Sequence, residues 1–165
     1  MIIILQDRKI KICDEVIKLI KPYIQHKSDN ESGGILIGRE NLSNENLIIE
    51  FATEPKPKDK CGRSFFKRRD KFHIEYYNNL YKESKGTYRY IGEWHTHPEL
   101  IPNYSSIDIK NWDMIGRQAK NQNNQIHLIV GQAAIRFWEY SVNSNTTNLI
   151  ATAYWSEISK LKGEG

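Results

Sequence analysis

The feature that most restricts this chain is an apolar run, Tyr88 to Ile91, that leads into Gly92-Glu93-Trp94-His95-Thr96-His97-Pro98. Read as a strand, the run alternates its side chains between two faces, so His95 and His97 point the same way. Pro98 stops the strand, because it has no N–H to give to a ladder. Ser105 and Asp108 follow at what reads as the start of a helix. Ser105 or Ser106 is its cap, and Ile107, Trp112, Ile115 and Ala119 supply one face to about Gln122. Two neutral imidazoles and one carboxylate make three protein ligands with a fourth position left for water. That is the ligand count of a catalytic zinc site, not a structural one. The pattern points to a metal-dependent hydrolase. Thr96 is expected on the opposite face in a structural role, and Trp94 on the histidine face, shielding the site.

The rest of the chain has to supply a scaffold for that strand. Residues 2–5 and 9–12 are β-branched runs around a polar turn, Gln6-Asp7-Arg8, and predict an N-terminal hairpin. Val16, Ile17, Leu19, Ile20, Tyr23 and Ile24 recur at helical spacing after Asp14, with Pro22 bending or shortening the last turn. Glu31-Ser32-Gly33-Gly34-Ile35-Leu36-Ile37-Gly38 reads as a buried strand whose glycines mark close backbone approach or a bulge. Leu47 to Thr53 is the next strand. Residues 54–71 read as an irregular loop with Lys or Arg at eight positions. It is either a solvated surface or a docking face for an acidic partner.

Asp70 to Ser84 is helical in its spacing and is closed by Lys85-Gly86. Ile126 to Val130 and Ala133 to Tyr140 predict an antiparallel pair turning at Gly131-Gln132. Asn143 to Asn148 reads as a loop, Leu149 to Trp155 as an edge strand or packed tail, and 161–165 as a disordered end. The expected class is α+β, or mixed α/β, with a central, largely antiparallel sheet flanked by helices over a single domain, 1–160. With 165 residues the chain is long enough to bury a core of its own.

Composition narrows the functional classes. The net charge of +4 is mild, so acidic partners are allowed and nucleic-acid binding is not expected as the main role. Cys13 and Cys61 are the only cysteines; they form neither a disulfide framework nor a CxxC knuckle, which suits a reducing, cytoplasmic setting. Lys60 and Arg63 around Cys61 favour a thiolate, although a plain loop cysteine is the simpler reading. Ile2 to Leu5 is too short for a signal core or a membrane span. His26, His73 and His127 read as ordinary core or surface histidines.

Taken together, Glu31 with His95-x-His97-Pro98, Ser105 and Asp108 resembles the JAMM motif of the JAB/MPN metalloprotease family at every spacing. The stretch from Glu31 to Gly38 resembles that family's glutamate-bearing strand. The resemblance implies a JAB/MPN-like fold, with zinc held by His95, His97 and Asp108. It implies Glu31 as general base and Ser105 as an oxyanion donor, although Ser105 could equally cap the helix. The stretch from Gly92 to Glu99, and that from Arg63 to Asp70, are most similar to a bacterial branch that includes the JAB-domain deconjugase of CBASS antiphage systems. That branch implies an isopeptidase acting on a ubiquitin-like conjugate, with a CD-NTase-type nucleotidyltransferase as the linked target. A peptidase that trims a sulfur-carrier protein and a noncatalytic MPN interaction module are the alternatives.

Overall fold

The computed structural model describes residues 1–5, 7–118 and 124–160. Strands β1 (Ile2–Ile4) and β2 (Lys9–Ile12) form the N-terminal hairpin. Helix α1 (Asp14–Ile20) follows, and Lys21–Tyr23 continues it as a 3₁₀ turn. The α-helical bonds stop just before Pro22, which has no N–H to continue them. Strands β3 (Gly33–Glu40) and β4 (Leu47–Ala52) come next, then a small hairpin of β5 (Lys60–Gly62) and β6 (Phe65–Lys67). Helix α2 (Phe72–Glu83) leads to β7 (Arg89–Thr96), and helix α3 (Ser106–Gln118) to β8 (Asn124–Val130). Strands β9 (Ala134–Ser141) and β10 (Thr146–Tyr154) and helix α4 (Trp155–Lys160) complete the order.

Eight strands make one sheet in the order β1-β2-β4-β3-β7-β8-β9-β10. Among the described residues only β2 with β4 and β7 with β8 run parallel, so the sheet is largely antiparallel, as the sequence predicts. Each parallel pair needs a long crossover, and α1 and α3 lie in the two crossovers. Arg8, just before β2, pairs with Glu139 on β9, so the sheet curls until strands far apart in its order meet.

Alternation splits the sheet's side chains into two cores. One face buries Ile12, Leu36, Ile49, Trp94, Leu128 and Phe137 with Val16, Ile17 and Ile20 of α1 and Ile158 of α4. The other packs Ile129, Trp138 and Tyr140 against Trp112 of α3. The glycines of β3 do permit close approach. A Cβ on Gly34 would lie 2.0 Å from the Thr53 carbonyl oxygen, and one on Gly33 2.6 Å from that of Trp94.

Three expectations need correction. Residues 54–71 are not irregular throughout, because Lys60–Gly62 and Phe65–Lys67 pair as a hairpin whose base is tied by a buried carboxylate. Asp59 accepts backbone N–H bonds from Lys56, Arg69 and Asp70 and faces His73 Nε2 at 2.8 Å, while His73 Nδ1 meets Thr53 Oγ1 at 2.5 Å. No local pattern announces such a network. Trp155 ends no strand; it opens α4, and its indole donates to the Gly131 carbonyl. The loop expected over 143–148 shrinks, since β10 pairs with β9 from Thr146 onward. The outer end of the predicted third helix and the tail at 161–165 lie outside the described residues.

His127 is buried on β8. Its ring stacks on Trp112 with centroids 4.5 Å apart, and Nδ1 accepts the Glu93 N–H at 3.2 Å. Burial, then the nearby His95, pushes its pKa down to about 3. An unfolded histidine takes a proton near pH 6.5, so between there and about 3 the unfolded state binds more protons than the folded one. The His127 contribution to stability should therefore fall as pH drops through that window and level off below it. In urea titrations the fall should be shallower for His127→Gln; an unchanged slope would show that other groups carry it.

Candidate active site

The site forms where β7 ends. His95 and His97 project to one face, as alternation requires, and α3 lies across the same face. Along α3 the buried positions are Asp108, Trp112 and Gly116, four residues apart, which makes one helical stripe. Trp112 stacked on His127 fixes the helix against the sheet and leaves Asp108, one turn earlier, facing the histidines. Ser105 sets the start of the helix. Its Oγ accepts the Asp108 N–H at 3.2 Å, its own N–H reaches Asp108 Oδ2 at 2.6 Å, and its hydroxyl donates to the same oxygen at 2.7 Å. Ser105 is thus a reciprocal cap that also orients the carboxylate.

The three candidate ligands converge. His95 Nε2 lies 3.1 Å from His97 Nε2 and 3.1 Å from Asp108 Oδ1, and His97 Nε2 is 3.5 Å from Asp108 Oδ2. Zinc bonds of about 2.0–2.1 Å in a tetrahedron put neighbouring ligand atoms about 3.3 Å apart. The 3.1 and 3.5 Å approaches are made by different oxygens of Asp108, and one ligand atom from each residue lies within 4.8 Å of the others, a cluster that could close around one metal ion. Two imidazoles and a carboxylate this close, all buried, could hold a cation between them.

Glu31 lies just outside the cluster. Its Oε1 is 3.9 Å from His97 Nε2, and its backbone N–H donates to the Gly62 carbonyl at 2.8 Å. Burial pushes its carboxyl up to about 7, with His95 opposing the shift and Asp108 adding to it. Burial alone would raise Asp108, yet its bonds to His95 and Ser105 hold it well below the usual carboxylate range. Burial would lower His95, but Asp108 and Glu31 beside it raise it overall. His97 is lowered by burial and by His95.

Trp94 is not on the histidine face. It is fully buried on the opposite side, with its indole donating to the Thr53 carbonyl at 2.9 Å and its ring 5.7 Å from that of Tyr23. The alternation that pairs His95 with His97 already requires this. Thr96 sits on that side too, and its Oγ1 accepts the Ser32 N–H at 2.9 Å. What the sequence reading misses is Glu93, two residues before His95 and on its face. It lines the cleft, and its carboxylate accepts the Arg68 guanidinium at 2.8 Å. The period of two was the signal that could have found it. The cleft, about 20 Å³, has room for a water-sized group. Phe65 and Phe66 of the hairpin wall one side, and Ile107 and Asn111 of α3 the other.

A profile described as prokaryotic homologs of the JAB domain matches residues 15–141. The chain belongs to this family. The JAB domain here is 39% identical over 130 residues to the CD-NTase/cGAS isopeptidase of Escherichia coli (strain TW11681), a match covering 78% of this chain and 80% of that one. It is 33% identical over 133 residues to the protein of that name from Vibrio cholerae serotype O1, covering 80% and 81%. A protein of Desulfitobacterium hafniense with a solution structure shares the fold at a TM-score of 0.53 and 12% identity, covering 85% of this chain and 88% of that one. Among the described residues of this JAB domain, no helix is long and apolar enough to cross a membrane.

Proposed function

We propose that this JAB domain is a zinc isopeptidase that releases a CD-NTase-type nucleotidyltransferase, or a ubiquitin-like protein, from a conjugate in CBASS antiphage regulation. The observation that carries this reading is the spacing of His95, His97 and Asp108, with Glu31 beside them but outside ligand range. The names of the relatives support the choice of substrate. The two free cysteines, Cys61 exposed, fit a reducing, cytoplasmic setting.

His95, His97 and Asp108 would hold the zinc, which acidifies a bound water and polarises a carbonyl presented to it. The residues of the chain then divide the work. Glu31 takes a proton from the attacking water as a C–O bond forms to the isopeptide carbon. It returns that proton to the nitrogen as the C–N bond breaks, and the second water proton passes from the new carboxyl group to the amine, so the products are a carboxylate and an ammonium group. Burial raises the Glu31 carboxyl in the metal-free chain, and a cation held beside it would favour the ionised form, the form that can take the water's proton. The Ser105 hydroxyl, whose one proton goes to Asp108 Oδ2 before the reaction, would turn it to the oxyanion, while the Ser105 N–H keeps Asp108 turned inward. Phe65, Phe66 and Ile107 give the cleft apolar walls.

The test is cleavage of a purified CD-NTase conjugate, followed by mass spectrometry of both products. An intact lysine amine and a carboxyl-terminated partner are expected, with cleavage stopped by a chelator and restored by zinc. Cleavage that persists after full metal removal would contradict the reading. Ser105→Ala should lower kcat by about 10²–10³ with little change in KM, by comparison with other oxyanion donors. It should also cost about 1 kcal/mol of stability through the lost cap. A drop in stability without a drop in kcat would leave Ser105 as a cap alone.

A further inference from the structure

The β5–β6 hairpin carries aromatic side chains that the cleft explains and cations that it does not. Among the eight cations of 56–71, Lys56 lies over the Phe72 ring and near Glu54, Arg63 bonds the Lys27 carbonyl, and Arg68 pairs with Glu93. Lys60 and Lys67 stand directly opposite one another in the ladder, both exposed. Among the described residues neither has an acidic side chain within ion-pair distance. Like charges placed across a ladder, with Cβ atoms about 5 Å apart, repel each other. They do so here in a ribbon of three residues per strand, which has little stability of its own.

Past Cys61 and Phe66, the second pair along the ladder is Gly62 with Phe65, so Phe65 shares the lysines' face about 7 Å along the hairpin and lines the cleft. The hairpin is also fixed to the catalytic machinery. Gly62 takes the Glu31 N–H at 2.8 Å, and Arg68, next after β6, grips Glu93 on the histidine strand. Anything held by the lysines is therefore held in register with the base.

We propose that Lys60 and Lys67 dock an acidic segment of the conjugate beside the bond to be cleaved, with Phe65 as the apolar step between that segment and the cleft. Charge complementarity selects this occupant. The proposal rests on the isopeptidase reading for the identity of the substrate, but not for the binding itself.

The experiment has a binding arm and a kinetic arm. In the first, anisotropy of a labelled oligoglutamate peptide should show binding that weakens with salt and drops about tenfold in Lys60→Glu/Lys67→Glu. Equal binding by both proteins overturns the proposal. A single-stranded DNA of equal charge that binds more tightly than the peptide overturns the choice of an acidic protein segment. In the second arm, KM for the CD-NTase conjugate should rise about tenfold in the double variant, with kcat within about twofold and the salt dependence flattened. Unchanged KM and salt dependence overturn docking while leaving hydrolysis intact; if no conjugate is cleaved, the functional reading fails and the peptide arm alone decides docking. Lys67→Glu alone replaces a repulsive pair with an attractive one, so Tm should hold or rise while peptide affinity falls. A fall in affinity seen only together with a fall in Tm would assign the lysines to the hairpin's own structure and overturn the proposal.

Discussion

Glu31→Gln is expected to lower kcat on the CD-NTase conjugate by about 10²–10⁴, the range for a positioned general base, while zinc content stays at one per chain. The amide keeps the shape of the carboxylate and has no basic oxygen to accept a proton. Glu31 lies 3.9 Å from the nearest histidine nitrogen, beyond bonding range, so its loss should leave the three ligands in place. It is buried and its carboxyl is raised to about 7, which means that the folded protein holds a proton the unfolded chain would release. In the metal-free protein, the Glu31 contribution to stability should therefore fall as pH rises from about 4.5 to about 7, and this contribution should vanish in Glu31→Gln. The variant should be as stable as the parent or more so at pH 7. Reduced kcat with reduced zinc would make Glu31 a ligand, and unchanged kcat would remove it from the chemistry.

His97→Ala is the second large effect. It deletes one of three donors from a closed cluster, and both zinc content and cleavage should drop to background. The loss should not be repaired by Glu99, whose carboxylate lies 4.0 Å from His97 Nδ1 and is engaged by the Asn103 N–H. Without a cation, Asp108 would keep only His95 and Ser105 as partners in a buried setting. Thermal unfolding of the parent should rise with added zinc, as binding to the native state requires, and that rise should be absent in His97→Ala. If the variant bound zinc at one equivalent and stayed active, the ligand set would have to be drawn again.

Much of this site was legible in the chain because it rests on short-range rules. The period of two puts His95 and His97 together, Pro98 ends their strand, and the Ser105–Asp108 spacing is that of a helix cap. The same rule read carelessly misplaced Trp94, whose even number sends it to the α1 face. Long-range pairing was not legible. Nothing local shows that Glu31 meets His97, since their approach depends on β3 lying beside β7. The hairpin at 60–67 was hidden because its stability comes from the buried Asp59 and from Gly33, which leaves room for the Phe66 ring, and not from its own propensity. The α4 helix was hidden for a similar reason, because Trp155 is placed by a bond to a distant carbonyl.

On this reading His95, His97 and Asp108 would hold one zinc ion that opens to water. X-ray absorption at the zinc edge, on protein purified without added metal, tests it most directly. One equivalent of zinc with only nitrogen and oxygen neighbours, two of them imidazoles, is expected, with loss of that signal in His97→Ala. Sulfur neighbours, or stoichiometric zinc that survives that substitution, would contradict it.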